Sequence, residues 1–560
     1  LAGMSEFGLD LFIVGVYFAV IIGIGLYAAR GQKTMESYAL GDRSMPWWAV
    51  LASILASEIS AGTFLGTPGE GFAKRNFVYA QLVVGTILAR LLVAAIFIKP
   101  FYKYNVVSIY EFLEIRFGRL TRRLASFVFL LTRSLASGSR IFVAAILLVL
   151  AWEVVHPEFM AMPKEERFVQ EMFIYAGAVV LITFLTAIYT TLGGIKAVVW
   201  TDLIQVSLMF GAAIYVFFWL LGRTGGWEGF TSSVATPVAI DTGIRADHKT
   251  IGESIYFILS QEYTIWAALL GSIFTTLATH GTDQDMVQRM LTSKDAKKGQ
   301  RAVIVSGLVD LPVVVGFLAI GILIYRFYEM NPTRAPEGDP GIFAWFMVHD
   351  LTPGLRGLIA AGLFATAMGS LSTALNALAT TYTKDWHVGV FRPHATSEEQ
   401  MIAAKKATVV FSVLLALIGV GTAFVKLKNP DLRIIPIVLG SFGYTYGSLL
   451  GVFLVGMLTK KRGNCTGNLI AMLSGFFVVG LLTNLPNDVW KMVTGVELYE
   501  NPSWLPMISF TWRIMAGTLV TVGVALCFPI PRGWMKRKRK SEGTAGPTTV
   551  LVNTADAVDR

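Results

Sequence analysis

Glu58, Arg133, Arg140, Asp202, Asp283 and Asp285 lie inside long apolar runs of this sequence. A charge at the centre of a bilayer costs about 3 kcal/mol or more, so such groups line ion or solute pathways or neutralise one another. Glu58 stands among Ser53, Ser57, Ser60, Gly62 and Thr63, and either lines a cavity or is neutralised by an internal partner. Arg133 and Arg140 share a helical face with Ser137 between them. Arg140 suits an anionic solute or a salt bridge with Glu58 or another acid, and Arg133 suits snorkelling at the cytoplasmic end. His280, in a polar stretch, reads as a hydrogen-bonded wall residue or a solute contact. The run from Ala360 to Asn376 carries hydroxyls at Thr366, Ser370 and Thr373 at helical spacing. Small residues there allow close helix packing, and the hydroxyls suit a dehydrated sodium ion that also meets carbonyls of a facing broken helix. No histidine–cysteine cluster appears, so hard oxygen ligands and an alkali cation are the natural chemistry.

The elements that must hold these groups are membrane spans. The chain has 560 residues, 54% hydrophobic and 15% charged, with a mean hydropathy of +0.60. A soluble enzyme carries roughly a quarter charged residues and lacks repeated apolar runs of about 20 residues. The net charge of +10 is dispersed through short loops, which argues against a nucleic-acid partner. Cys465 and Cys527 form neither a disulfide framework nor a metal spacing.

Apolar runs and their breakers predict an all-α integral membrane protein with about thirteen spans. These cover 8–29, 46–70, 77–98, 121–151, 170–191, 194–221, 262–286, 302–325, 354–382, 402–425, 434–458, 466–484 and 507–530. Residues 1–7 read as a cloning scar and an extracellular N-terminus, 8–530 as the transmembrane domain, and 531–560 as a basic, then disordered, cytoplasmic tail. With the N-terminus outside, Lys and Arg favour the cytoplasmic loops roughly two to one. The second span (Ser53 to Pro68) and the seventh (Thr275 to Gln284) are rich in small and polar residues and are expected to break. Unwound backbone survives at membrane depth only where it lines a cavity or is buried in protein. Their separation by five spans fits an inverted repeat over about 46–221 and 262–458.

The segment Gly193-Gly194-Ile195-Lys196-Ala197-Val198-Val199-Trp200-Thr201-Asp202-Leu203-Ile204-Gln205 resembles the sodium:solute symporter family, as do Ser57–Pro68, Thr282–Arg289 and the ninth span. The resemblance implies a LeuT-type five-plus-five inverted repeat with broken helices. It also implies a main sodium site from the carbonyls of Ala56 and Ile59, the backbone of Thr366 and the hydroxyl of Ser370. Gly369 stands where many members carry a serine, which leaves coordination thinner or a water in that place. A second sodium site, found in some members, would use Asp202, Ser372 and Thr373; the alternative for Asp202 is a helix-end cap or a gate salt bridge. By position Glu58, Ser60, Thr63, Gln81, Arg140 and His280 would face the substrate.

The expected function is sodium-coupled secondary active symport by alternating access in the cell membrane, by a protein that is not an enzyme and works as a monomer. An arginine in reach favours a carboxylate such as a sialic acid, ahead of a sugar or polyol and an amino-acid-like solute. A solute sensor or an uncoupled facilitator with the same fold is the alternative of another class.

Overall fold

The computed structural model describes residues 7–530 apart from 31, 157, 160, 161, 246–249, 337–340, 429–433 and most of 484–507. The expected scar and tail fall largely or wholly outside the described residues.

Helices dominate, as the apolar runs require: in hydrocarbon every backbone polar group must be paired within the segment or with a close neighbour. The core is built from α1 (Gly8–Ala28), α2 (Trp47–Glu58), α3 (Ala61–Lys74), α4 (Leu82–Val93), α5 (Arg119–Val155), α6 (Lys164–Arg223) and α7 (Ser272–Gly281). It continues with α8 (Gln284–Leu291), α9 (Ala296–Met330), α10 (Leu355–Thr381), α11 (Ser397–Lys428), α12 (Ile434–Leu458), α13 (Cys465–Leu482) and α14 (Phe510–Leu526). Among the described residues, eight helices are long and apolar enough to cross a membrane, or nine if the bent pair α2 and α3 counts as one span. Helix occupies each of the thirteen expected intervals, but several pieces are too short or too polar to qualify alone.

The 60-residue α6, if straight, would be about 90 Å long, three times the hydrocarbon core. Gly194 breaks it with φ 49° and ψ −152°, and a Cβ there would stand 2.6 Å from the Tyr38 carbonyl oxygen. Only glycine combines that backbone with that approach, so the two expected spans over 170–191 and 194–221 meet at this residue.

Burial separates centre from rim. Of the most apolar window in the span that starts with α10, 89% is buried, against 17% for α1. On α1, Leu11 and Phe12 are about two-thirds exposed, a face for lipid. At the centre, α10 packs against α6, α5 and α1. Its alanines, glycine and hydroxyl residues let those backbones come close, as in membrane helix packing generally.

Candidate functional site

The second span breaks between α2 and α3 with a 65° bend. Ile59 (φ −80°, ψ 89°) and Ser60 (φ −81°, ψ 168°) leave the helical region. The Ser60 N–H, which in an unbroken helix would donate to the Ala56 carbonyl, donates to the Glu58 backbone carbonyl at 3.0 Å. The Thr63 N–H goes to the Ser60 hydroxyl at 3.4 Å, as in an N-cap, instead of to the Ile59 carbonyl. The carbonyls of Ala56 and Ile59 are thereby released from the helix ladder. From α10 the Ser370 hydroxyl donates to the Ser57 carbonyl at 3.3 Å, so the break and α10 touch directly.

Beside this junction is a small cavity of ≈ 10 Å³, lined by Ser60, Ala61, Ser137, Arg140, Ile141, Ala367, Ser370 and Leu371. That is room for about one water, so any organic solute requires these walls to part. Arg140 enters from α5 and makes no hydrogen bond or ion pair among the described residues. Its guanidinium lies 5.0 Å above the centre of the Phe442 ring, a contact that orients a cation without neutralising it. A guanidinium with no ion-pair contact beside three hydroxyls is chemistry for a carboxylate.

The other buried charges are paired. Arg90 meets Glu58 in a short ion pair, lies 3.6 Å from Asp310 and donates to the Ser306 hydroxyl at 3.1 Å. In the seventh span, Thr282 and Asp283 leave the helical region, and the Asp283 side chain caps α8 by accepting from the Asp285 N–H at 2.8 Å. Arg133 reaches this break, pairing with Asp283 at 2.9 Å and with Asp285. Arg289 pairs with Asp285 at 3.0 Å, donates to the Ser53 hydroxyl at 2.9 Å and stands 3.9 Å from Asp202. Tyr446 donates to Asp283 at 2.7 Å.

The profile of the Sodium:solute symporter family matches residues 38–155 and 166–475. The chain belongs to that family. It is 27% identical over 486 residues to the sodium/sialic acid symporter SiaT of Proteus mirabilis (strain HI4320), covering 86% of this chain and 89% of that one. It is 28% identical to the sodium/sialic acid symporter NanT of Aliivibrio fischeri (strain ATCC 700601 / ES114), over 85% and 88% of the two chains. The sodium/glucose cotransporter of Vibrio parahaemolyticus is 24% identical, over 92% and 91%. The fold matches a solved structure of a Na+-coupled sialic acid symporter in a substrate-bound outward-open state with a TM-score of 0.74, covering 93% of this chain and 97% of that one at 24% identity. The protein is therefore a LeuT-type sodium-coupled symporter, and sodium is its coupling ion.

In this symporter, Ser60 and Arg140 come together at the cavity. Glu58 turns toward Arg90, and His280 Nε2 lies 3.9 Å from that carboxylate, with Thr279 on the His280 Nδ1 at 3.0 Å. Thr63 holds the start of α3 through its backbone. Gln81 is drawn outward: its amide donates to the Tyr263 carbonyl at 3.1 Å and accepts from the Asp241 N–H at 3.4 Å. Ala56, Ile59 and Ser370 meet at the broken second span, and Thr366 sits one turn earlier on α10, its hydroxyl bonded to the Leu363 carbonyl at 2.8 Å. Asp202 accepts from Ser53, while Ser372 and Thr373 bond back to Gly369 and Ser370 at 3.1 and 2.8 Å. Arg133 does not snorkel; it is 4% exposed and double-paired.

Sequence reasoning misses Arg90, Asp310 and Phe442. The first two are charges inside the expected spans 77–98 and 302–325, so the charge-in-a-span criterion extends to them. Phe442 carries no such signal, because an aromatic in an apolar run reads as lipid-facing or core.

Proposed function

We propose that this symporter imports a carboxylate-bearing organic solute, with sialic acids as the first class to test, by alternating access around the cavity beside Arg140. The observation that carries the reading is Arg140 itself: a partly buried guanidinium held on Phe442, facing Ser60, Ser137 and Ser370, with no acid of the described residues in hydrogen-bond or ion-pair contact with it, since Asp283, which acts on it from farther off, is already held by Arg133 and Tyr446. A charge withdrawn from water without a contact partner is costly, and a bound carboxylate supplies that contact. The names of SiaT and NanT support the same class.

In this reading the carbonyls of Ala56 and Ile59, the Thr366 backbone and the Ser370 hydroxyl hold the coupling sodium, and Asp202, Ser372 and Thr373 form a second, weaker position. Sodium entering from outside bridges α2 and α10, which fixes the wall that carries Ser60 and Ser370 and so raises solute affinity. The coupling is reciprocal and of the order of 1–3 kcal/mol. Rocking of the repeat pair about the midplane then opens the cytoplasmic side, where low sodium and the negative interior, about 2.3 kcal/mol per charge per 100 mV, favour release. Thirteen crossings, a cytoplasmic C-terminus in the plasma or inner membrane and a working monomer complete the proposal; Glu58, Thr63, Gln81 and His280 belong to the walls that move when the cavity opens.

The test is thermal stability of the purified protein with sialic acids, monocarboxylates, sugars and amino acids, each in sodium chloride and in choline chloride. Stabilisation by an acid in sodium alone, lost in Arg140→Gln, supports the reading. Stabilisation by sugars with the acids inert overturns the carboxylate assignment, and equal stabilisation in both salts overturns sodium-linked binding.

A further inference from the structure

Gly369 on α10 faces two oxygens. A Cβ built on it would lie 3.2 Å from the released Ala56 carbonyl and 3.0 Å from Gln205 Oε1 of α6. A side chain at 369 and the present position of the Gln205 amide therefore compete for one small space, and the bare glycine leaves that space to Gln205. The amide is 1% exposed. Its Nε2 donates to the Tyr17 hydroxyl at 3.3 Å, while Oε1 accepts nothing among the described residues. A buried carbonyl oxygen left without a donor is an exception that calls for an explanation. One turn away on the same face of α6, Asp202 leaves Oδ1 unpartnered while Oδ2 accepts from Ser53 of α2.

We propose that Gln205 Oε1 is a sodium ligand at Gly369, acting with the Ala56 carbonyl. This deepens the sodium site of the preceding section and rests on it. The amide oxygen is a hard, neutral donor of the kind alkali cations take. It reaches from α6, so it ties a third helix to the α2–α10 junction. It also makes the glycine part of the design, because the oxygen that position 369 lacks arrives from across the helix interface. Tyr17 fixes the orientation of the amide by taking its N–H end.

The test uses the purified full chain and reads the sodium concentration at half-maximal thermal stabilisation, with choline chloride holding ionic strength. Gln205→Leu is expected to raise that midpoint at least tenfold, and Gln205→Glu, which keeps an oxygen there, to stay within about threefold of wild type. The double variant Gln205→Ala with Gly369→Ser is expected to recover most of the loss, since the hydroxyl then enters the vacated space facing Ala56; a merely structural role for Gln205 predicts no such rescue. If Gln205→Leu does not fold, the Glu variant and the double variant carry the test. A wild-type sodium response that Gln205→Leu or Gln205→Ala leaves unchanged, or a double variant no better than Gln205→Ala alone, overturns the ligand assignment and leaves the symporter reading standing. Absence of any sodium-specific response in the wild type overturns the sodium site itself.

Discussion

The second and seventh spans both unwind for about two residues, yet the protein treats the two breaks differently. At the second, the carbonyls of Ala56 and Ile59 are released and no side chain of the break takes them. At the seventh, Asp283 caps the new helix, Arg133 and Arg289 bind Asp283 and Asp285, and Tyr446 covers Asp283. One break keeps two backbone carbonyls available, and the other pairs its carboxylates with the chain's own arginines. Broken helices in a membrane are thus not interchangeable: this chain leaves backbone carbonyls free at one and closes the other with its own charges.

The comparison is broken most severely at Asp285, the acid shared by Arg133 and Arg289. Asp285→Ala is expected to cost about 3–5 kcal/mol of stability, as when one partner of a buried pair is removed. Thermal unfolding in detergent measures it, and a change under 1 kcal/mol would mean that the seventh break does not depend on its charge pairing. At the open break, Arg140→Gln is expected to weaken carboxylate binding by about 10–100-fold, or roughly 1.4–2.8 kcal/mol, while stabilisation by sodium alone persists. Equal loss of both would make Arg140 a structural residue.

Smaller effects sharpen the contrast. Ser370→Ala removes the donor to Ser57 and is expected to lower stability by only about 1 kcal/mol while raising the sodium midpoint roughly fivefold, a dissociation between stability and sodium that no residue of the closed break should give. Thr366→Val is the smallest: its backbone stays in place, so a sodium midpoint within about twofold of wild type is expected, and a larger shift would assign the Thr366 hydroxyl a direct part.

Both breaks were legible in the sequence, because Gly, Ser, Thr and Pro concentrate where apolar periodicity fails, and the hydroxyl face of α10 was legible from its spacing. The partners were not. Arg133 and Asp283 are 150 positions apart, and nothing along the chain states that α5 carries its arginine to the seventh span; an isolated arginine near an expected helix end reads as snorkelling. Glu58 was visible as an acid inside a span, but its neutralisation depends on Arg90 from α4, which it shares with Asp310 from α9, a three-helix meeting. Gln205 lay within a recognised motif and still carried no signal, since its meaning comes from the missing side chain opposite it. The fold was readable because it follows from composition and period, whereas the site depends on which charges tertiary packing leaves over.

The surface of α10 has a mechanical consequence. From Ala360 to Ala379 much of this buried helix is alanine, glycine, serine and threonine. Side chains of that size have few or no rotamers to exchange, so a neighbour sliding along those stretches meets few interlocked knobs to climb. An interface of interdigitated leucines along its whole length would resist such shear as two gear racks do, whereas on α10 the bulky side chains, such as Phe364 against Phe18 and Met368 against Tyr17 of α1, are spaced apart by small ones. Smooth stretches between a few fixed contacts at the centre, with bulky exposed side chains at the rim, suit two halves that must tilt against one another and return.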